Sequence, residues 1–233
     1  AMDPQQRLLL ELSYEALEDA GMIPTVGEED RNIGVYTGIS ANTYYQCILN
    51  YIDRNGMTDV HPNTMVGNMH NITAASVAHQ YNFTGPALAI DTACSSFMVA
   101  LHYAVTAIRQ KSISGAVVAG ANIMTTPMVH WMSRRAGIVS STQYTLAFDK
   151  NADGSVLGEG VVVVYLEPLA KAIQDHKNIY GIVRGTAINN DGYSLGIMAP
   201  NPRGQYKVLS DAYVDANLSP GEVGYIEAHG TGT

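Results

Sequence analysis

The stretch that decides the fold reads Ala87-Leu88-Ala89-Ile90-Asp91-Thr92-Ala93-Cys94-Ser95-Ser96-Phe97. An apolar run ends at Asp91, a turn of small residues follows, and Cys94 lies where that turn meets a helical pattern. Spacings of three and four predict a helix over 97–108 with one apolar face. That face consists of Met98, Leu101, Val105 and Ile108. A strand, a tight turn, a nucleophile and a helix form the arrangement of an acyl-transfer elbow.

Two interpretations of Cys94 are open at this point. At or just before a helix N-terminus, unpaired N–H groups and the positive end of the helix dipole favour a thiolate. Alternatively, Cys94 is a buried structural residue, because most free cysteines behave as small core side chains. The polar residues on both sides of Cys94 weaken the second interpretation, since a core strand that enters a core helix does not require them.

Composition limits the classes of function. The 233 residues are 46% hydrophobic and 15% charged, which is typical of a globular protein with a substantial core. A net charge of -8 argues against nucleic-acid binding and against a polybasic membrane patch. The longest apolar run, residues 161–166, is far too short to cross a membrane. With two cysteines and no basic-then-apolar opening segment, we expect a reducing, cytoplasmic compartment.

Apolar strands alternate with amphipathic helices along the chain. A helix is expected from the Asp3 cap to Gly21, with a buried stripe of Leu8, Leu9, Leu12, Ala16 and Ala20. Further helices are predicted over 44–51, 63–81, 127–135, 168–175 and 203–216. Strands are predicted over 33–38, 115–122, 161–166, 179–187 and 223–228. The fold class is therefore α/β, with a sheet covered on both faces.

Two motifs resemble functional sites but lack their context. Residues 149–154 begin like a calcium loop, but the required glutamate comes one place early and a strand follows. Residues 192–196 match the serine-hydrolase elbow pattern, yet turn formers precede them and Pro200 interrupts any following helix. The histidines lack metal-ligand spacing, so no metal site is predicted.

His229 differs from the other histidines in its surroundings. It lies in Glu227-Ala228-His229-Gly230-Thr231-Gly232-Thr233, after a predicted strand. Glycines there let a ligand approach closely, and threonine hydroxyls can donate hydrogen bonds to it. A histidine at the carboxyl end of one strand is well placed to meet a cysteine at the carboxyl end of another. An ordinary surface loop remains the alternative for His229 alone.

The Cys94 and His229 segments resemble the nucleophile and first-histidine motifs of β-ketoacyl synthases, and specifically the ketosynthase domains of modular polyketide synthases. The resemblance covers essentially the whole chain, in the order and spacing of the family. Further similar motifs lie at residues 2–11, 148–149, 152–154, 158–160, 190–192 and 199–201.

The resemblance implies a thiolase-like fold of five layers, αβαβα, and a homodimer. It implies that Cys94 accepts an acyl chain from the phosphopantetheine of an acyl carrier protein and condenses it with a decarboxylated malonyl unit. By the same analogy, His229 hydrogen-bonds the malonyl thioester carbonyl, while Thr231 and Thr233 line the pantetheine passage and Phe97 shapes the acyl pocket. No bound cofactor is implied, and the expected partners are carrier proteins and neighbouring synthase domains.

Two departures from the family pattern qualify this prediction. The chain, residues 1–233, is expected to hold the N-terminal half and the start of the second half, without the first strand-bearing segment or the downstream lysine and second histidine. Residues 141–147 also replace the usual Gly-Arg-Cys or Gly-Gln-Cys run, and the sequence as a whole is closer to synthases served by a separate acyltransferase.

Three other interpretations of the function stay open. A non-elongating ketosynthase would keep Cys94 and only pass acyl chains between carrier proteins. A non-catalytic partner protein that shapes chain length or holds a dimer would typically replace the cysteine. Thioester hydrolysis would need a water-activating base, which the sequence does not place.

Overall fold

A computed structural model describes residues 1–22, 31–196 and 199–233. The α-helices in this part of the chain are α1 (Pro4–Asp19), α2 (Tyr44–Asn55), α3 (His70–Gln80), α4 (Ser96–Arg109), α5 (Met128–Arg135), α6 (Leu169–Gln174) and α7 (Pro202–Ala216). The strands are β1 (Ile33–Gly38), β2 (Ala87–Ile90), β3 (Gly115–Asn122) and β4 (Gly160–Leu166). Short 3₁₀ turns lie at Pro62–Thr64, Val66–Asn68, Ala93–Ser95 and Pro220–Glu222.

The four strands form one mixed sheet in the order β2-β1-β3-β4. β1 pairs in parallel with both β2 and β3, whereas β4 runs antiparallel to β3. The carboxyl ends of β1, β2 and β3 therefore lie along the same edge of the sheet. The loop that carries Cys94 leaves β2 at this edge.

Both faces of the sheet are covered, as the alternation of side chains requires. One face packs Val35 and Val117 against α1 and α3, with Leu17 and Val77 among the buried contacts. The opposite face packs Tyr36, Ala116 and Val118 against α4, chiefly at Ala100 and Ala104. The prediction of an α/β fold with a doubly covered sheet is confirmed.

The helix predicted at the start of the chain is confirmed, but its buried face is rotated from the predicted stripe. Asp3 is the N-cap, and its carboxylate accepts a hydrogen bond from the backbone N–H of Gln5 at 2.9 Å. The helix ends before Gly21, which has a φ of +63°. The most buried residues are Gln5, Gln6, Leu9, Ser13 and Leu17, and the predicted residues other than Leu9 flank them. The small and amide side chains on this face allow α1 to pack closely against β4 and the neighbouring loops.

Two predicted strands are wrong. Residues 179–187 and 223–228 form neither strands nor helices, and they are largely exposed. Their β-branched content satisfies the local signal for a strand, but a strand also requires a neighbour that completes its hydrogen-bond ladder. No strand in the described part of the chain pairs with either segment.

Other boundaries shift by smaller amounts. The helix predicted over 63–81 is two 3₁₀ turns followed by α3, and the helix predicted over 44–51 extends to Asn55. Residues 192–196 lie in a loop, as predicted.

Glycine at position 38 allows α4 to approach the sheet. A Cβ atom built on Gly38 would lie 2.6 Å from the backbone N of Phe97 and 2.6 Å from the backbone C of Ser96. Backbone atoms cannot give way as a flexible side-chain end can, so a side chain here would push the start of α4 off the sheet.

We therefore expect Gly38→Ala to lower the free energy of unfolding by about 1–3 kcal/mol, measured by urea denaturation followed by circular dichroism. Gly160→Ala is the matched control, because this other strand-end glycine has no atom within 4 Å of an added Cβ. The control should stay within about 0.5 kcal/mol of wild type. Equal effects of the two substitutions would contradict the proposed steric role of Gly38.

Candidate active site

Cys94 lies in a tight turn between the end of β2 and the start of α4. The turn is a 3₁₀ segment, Ala93–Ser95, and Ala93 has a φ of +52°, which is unusual for a residue with a side chain. Helix α4 begins at Ser96, directly after the turn. The predicted order of strand, tight turn and helix, with Cys94 in the turn, is confirmed. Cys94 is exposed and has no disulfide, so the interpretation as a buried structural cysteine is wrong.

Hydroxyl groups fix the backbone of this turn. The buried Ser96 Oγ accepts a hydrogen bond from the Thr92 N–H at 2.9 Å and donates to the Ala93 carbonyl at 2.7 Å. Ser95 Oγ donates to the Thr92 carbonyl at 2.8 Å instead of capping α4. The side chain at the N-cap position therefore does not block the first turn of the helix, and that turn stays open to an anion or a polarised carbonyl.

Asp91 ties the turn to the neighbouring strand. Its Oδ1 accepts hydrogen bonds from Ser40 Oγ at 2.7 Å and from the Ala93 N–H at 3.1 Å. The bond from Ser40, followed by that from Ala93, holds the pKa of Asp91 below its usual range. Ser40 follows β1, so this bond joins two carboxyl ends of the parallel sheet. The bond to Ala93 stabilises the residue that has the left-handed backbone conformation.

Phe97 lies in the first turn of α4, three residues beyond Cys94 along the chain. Its ring packs beside Gly120 of β3, where an added Cβ would lie 3.1 Å from ring atom Cδ2. Phe97 also lines an apolar cleft of about 700 Å³, together with Leu101, Val105 and segments of β4 and 177–183. The predicted apolar face of α4 is only partly buried. Val105 is buried, whereas Met98 is 64% exposed.

The loop that contains His229 packs against residues 145–155. The Gly154 N–H donates to the Gly232 carbonyl at 2.8 Å, and Ser155 Oγ donates to the Thr231 carbonyl at 2.5 Å. The hydroxyl groups of Thr231 and Thr233 are 3.0 Å apart. His229 and Thr233 are exposed, and Thr231 is half-buried.

The predicted site residues thus form two groups. Cys94 and Phe97 share the α4 turn, and His229, Thr231 and Thr233 share one loop. In the part of the chain that the structure describes, no hydrogen bond joins Cys94 to residues 229–233. The pairing of Cys94 with His229 stays a prediction.

Several residues that shape this edge of the sheet were not singled out from the sequence. Gln5 is buried, donates to the Ala41 carbonyl at 2.8 Å and accepts from the Ile123 N–H at 3.0 Å, so it joins the loops after β1 and β3. Thr43 Oγ1 accepts from the Thr125 N–H at 2.9 Å across the same gap. Gln5 beside a helix cap is part of a local sequence pattern. That pattern does not indicate hydrogen-bond partners more than thirty residues away along the chain.

Metal-binding clusters and membrane spans are both absent from the described residues. Among residues 1–22, 31–196 and 199–233, no group of three His, Cys, Asp or Glu side chains could hold a metal ion. No helix in these ranges is long and apolar enough to span a membrane.

The chain belongs to the β-ketoacyl synthase family. Residues 1–172 match the family's N-terminal domain, and residues 180–233 match its C-terminal domain. The thiolase-like fold is confirmed by two solved ketosynthases, each aligned with all of this chain. One is from module 6 of the bacillaene synthase of Bacillus subtilis 168, with a TM-score of 0.88 and 38% identity. The other is the oxazolomycin ketosynthase domain OzmH KS7 of Streptomyces albus JA3453, with a TM-score of 0.90 and 33% identity.

Similar curated proteins are polyketide synthases. A phenolphthiocerol/phthiocerol polyketide synthase of Mycobacterium tuberculosis is 40% identical over 236 residues, which cover the whole of this chain. Polyketide synthase ThaG of Burkholderia thailandensis is 38% identical over 232 residues. The chain spans 15% of the first protein and 4% of the second, and 39% and 40% of the two ketosynthase structures. Ketosynthase domains of polyketide synthases are enzymes of the acyltransferase type, which condense acyl and malonyl units.

Loss of the Ser96 hydroxyl should loosen the turn that contains Cys94. We expect Ser96→Ala to lower the free energy of unfolding by about 1–2 kcal/mol, because the partly buried Thr92 N–H loses its partner and the Ala93 carbonyl keeps only the Ser96 N–H. Urea denaturation measures the change. Ser95→Ala is the control, since its exposed hydroxyl can be replaced by water. A larger loss for Ser95→Ala than for Ser96→Ala would contradict this assignment.

The carboxylate of Asp153 should contribute stability in a defined pH window. Hydrogen bonds from the hydroxyl of Ser140, and then from the hydroxyl and N–H of Ser141, lower its pKa to about 2. This contribution is present above the unfolded pKa, near 3.9, and is lost as the pH falls through the folded value.

Wild type should therefore melt at a higher temperature than Asp153→Asn at pH 7, and the difference should shrink as the pH falls from about 4 to about 2. Thermal melts followed by circular dichroism at a series of pH values test this. Asp53→Asn removes an exposed carboxylate with no hydrogen bond in the described part of the chain, and should not reproduce this loss of stability. A difference for Asp153→Asn that does not change with pH would exclude the carboxylate as its source.

Proposed function

We propose that this chain forms the acylation site and the first-histidine loop of a condensing ketosynthase in polyketide synthesis. The Cys94 thiolate attacks the thioester carbonyl of an acyl chain on a carrier protein, and the carrier thiol leaves. A malonyl unit on a carrier then loses carbon dioxide, and its carbanion attacks the Cys94 thioester. The new carbon–carbon bond extends the chain by two carbons, and Cys94 is released as a thiolate.

One observation carries this proposal. The chain belongs to the β-ketoacyl synthase family, and its exposed cysteine in a strand–turn–helix elbow, Cys94, lies directly before the N-terminus of α4. The N–H groups of this first turn can stabilise a thiolate, and they can also stabilise charge on a thioester oxygen. The small residues on both sides of Cys94 leave room for the acyl carbonyl.

The remaining roles follow from the chemistry of each side chain. His229 would donate a hydrogen bond to the malonyl thioester carbonyl as enolate charge develops there. Thr231 and Thr233 would hydrogen-bond the amide groups of the pantetheine arm, because their hydroxyl groups, 3.0 Å apart, can each donate and accept. Phe97 would line the acyl chain, because its ring already borders an apolar cleft.

The partners follow from the same chemistry. Phosphopantetheine would arrive on an acyl carrier protein, as part of the substrate and not as a resident cofactor. Neighbouring polyketide synthase domains would supply the acyl and malonyl thioesters, in the cytoplasm. A homodimer is also part of the proposal: β2 lies at an edge of the sheet and pairs only with β1 in the described part of the chain, so its outer edge could meet a second copy.

Intact-mass spectrometry of the full protein tests the proposal. The protein is first incubated with an acyl-pantetheine thioester and then with a malonyl carrier protein. We expect an acyl adduct on wild type, followed by its loss and the appearance of a product two carbons longer on the carrier. Cys94→Ala should form no adduct, and His229→Ala should form the adduct but extend it at least about 100-fold more slowly.

Cys47→Ala is the matched control, because Cys47 is the other free cysteine and lies within α2 and not in the turn after β2. It should load and extend like wild type. Adduct formation that survives in Cys94→Ala would refute the nucleophile assignment. Loading of wild type without extension would favour the alternative, a non-elongating ketosynthase that transfers acyl chains between carriers.

A further inference from the structure

Three short segments meet beside the His229 loop, and a single carboxylate lies at the junction. Asp153 accepts hydrogen bonds from Ser140 Oγ at 2.6 Å, from the Ser141 N–H at 2.9 Å and from Ser141 Oγ at 2.5 Å. Both carboxylate oxygens are used, and all the donors belong to one turn after α5. Asp153 therefore fixes the segment 153–155 relative to residues 140–141.

The two residues after Asp153 hold the His229 loop. The Gly154 N–H and the Ser155 hydroxyl donate to the successive carbonyls of Gly232 and Thr231. Ser155 also exchanges backbone hydrogen bonds with the segment before Ser141: its N–H donates to the Ile138 carbonyl at 2.8 Å, and its carbonyl accepts from the Ser140 N–H at 3.0 Å. One tripeptide, 153–155, thus contacts both the turn and the loop.

The contacts at the junction leave little space for movement. Gly154 has a φ of +140°, and a Cβ on it would lie 2.5 Å from the backbone N of Ser140. Gly232 has a φ of +68°, and a Cβ on it would lie 2.9 Å from the Gly154 carbonyl oxygen. Because backbone touches backbone on both sides, a shift of residues 140–141 would displace residues 231–232 as well.

We propose that Asp153 is a positioning residue for His229. It acts through the tripeptide 153–155, which is hydrogen-bonded to the carbonyls of Thr231 and Gly232. His229 lies in the same loop, two residues before Thr231. This inference rests on the proposed function of His229. Asp153 itself is assigned no contact with substrate. Its loss should therefore impair the step that uses His229 and leave the step that uses Cys94 unchanged.

Asp153→Asn in the intact protein is the main test, because the amide keeps the size of the side chain but can accept at one oxygen only and presents an N–H₂ group to the donors. We expect acylation of Cys94 within about two-fold of wild type. Extension with malonyl carrier protein should fall by about ten- to a hundred-fold, as a displacement of about 1 Å would cause. Both rates come from the same time course of intact masses.

Two further variants make the comparison specific. Ser155→Ala removes the donor to Thr231 and keeps the carboxylate, so it should also slow extension selectively. Glu222→Gln is the matched control: the Glu222 carboxylate likewise accepts from the N–H and the hydroxyl of one serine, Ser219, both at 2.8 Å. It has no hydrogen bond to residues 138–155 in the described part of the chain, and both steps should proceed as in wild type.

Hydrogen–deuterium exchange separates this inference from the proposed function. In Asp153→Asn, the Gly154 amide, which donates its hydrogen bond to the Gly232 carbonyl of the His229 loop, should exchange at least several-fold faster than in wild type, whether or not the protein condenses. Unchanged exchange would refute the positioning role, even if wild type proved only to transfer acyl chains or did not load at all. Equal losses of acylation and extension in Asp153→Asn would also refute it, because they would indicate a general defect. If Asp153→Asn does not fold, Ser155→Ala decides by the same criteria.

Discussion

The close approach of α4 to the sheet is the constraint on which the rest of the structure depends. Ala100 and Ala104 bring the helix against β1 and β3, and Gly38 and Gly120 leave room for its first turn. A helix held at this distance has its N-terminus fixed at the carboxyl edge of the parallel strands. Cys94 precedes that N-terminus, so the position of this cysteine is set by backbone packing rather than by a flexible loop.

Hydrogen bonds of polar side chains also fix the loops at this edge of the sheet. Asp91 and Ser40 join the ends of β2 and β1, and Gln5 joins the loops that follow β1 and β3. Asp153 fixes the segment that holds the Thr231 and Gly232 carbonyls. Each of these bonds connects parts of the chain that are distant in sequence or lie on different loops. Together they fix the segments around Cys94 and around His229, and the proposed condensation would need both segments to hold two thioesters in fixed positions.

Sequence reasoning succeeded where the signal was local. The cap at Asp3, the break at Gly21, the four strands of the described sheet and the elbow around Cys94 all follow from residue type and spacing. It failed for 179–187 and 223–228. These segments have the composition of strands, but no strand in the described part of the chain pairs with them. It also chose the wrong stripe on α1, and Met98, which lies on the predicted apolar face of α4, is exposed. Periodicity gives the width of an apolar face better than its orientation.

The sequence by itself determined the α/β class, the family resemblance and the identity of Cys94 and His229 as candidates, since all of these depend on motifs of a few neighbouring residues. Only the tertiary structure decided that Cys94 is exposed, that Asp91 is bound to Ser40 and that Ser155 is bound to the Thr231 carbonyl. These facts depend on which distant segments meet. A hydrogen bond across 36 or 76 residues leaves no periodic trace in the sequence, because either partner alone is an ordinary polar residue.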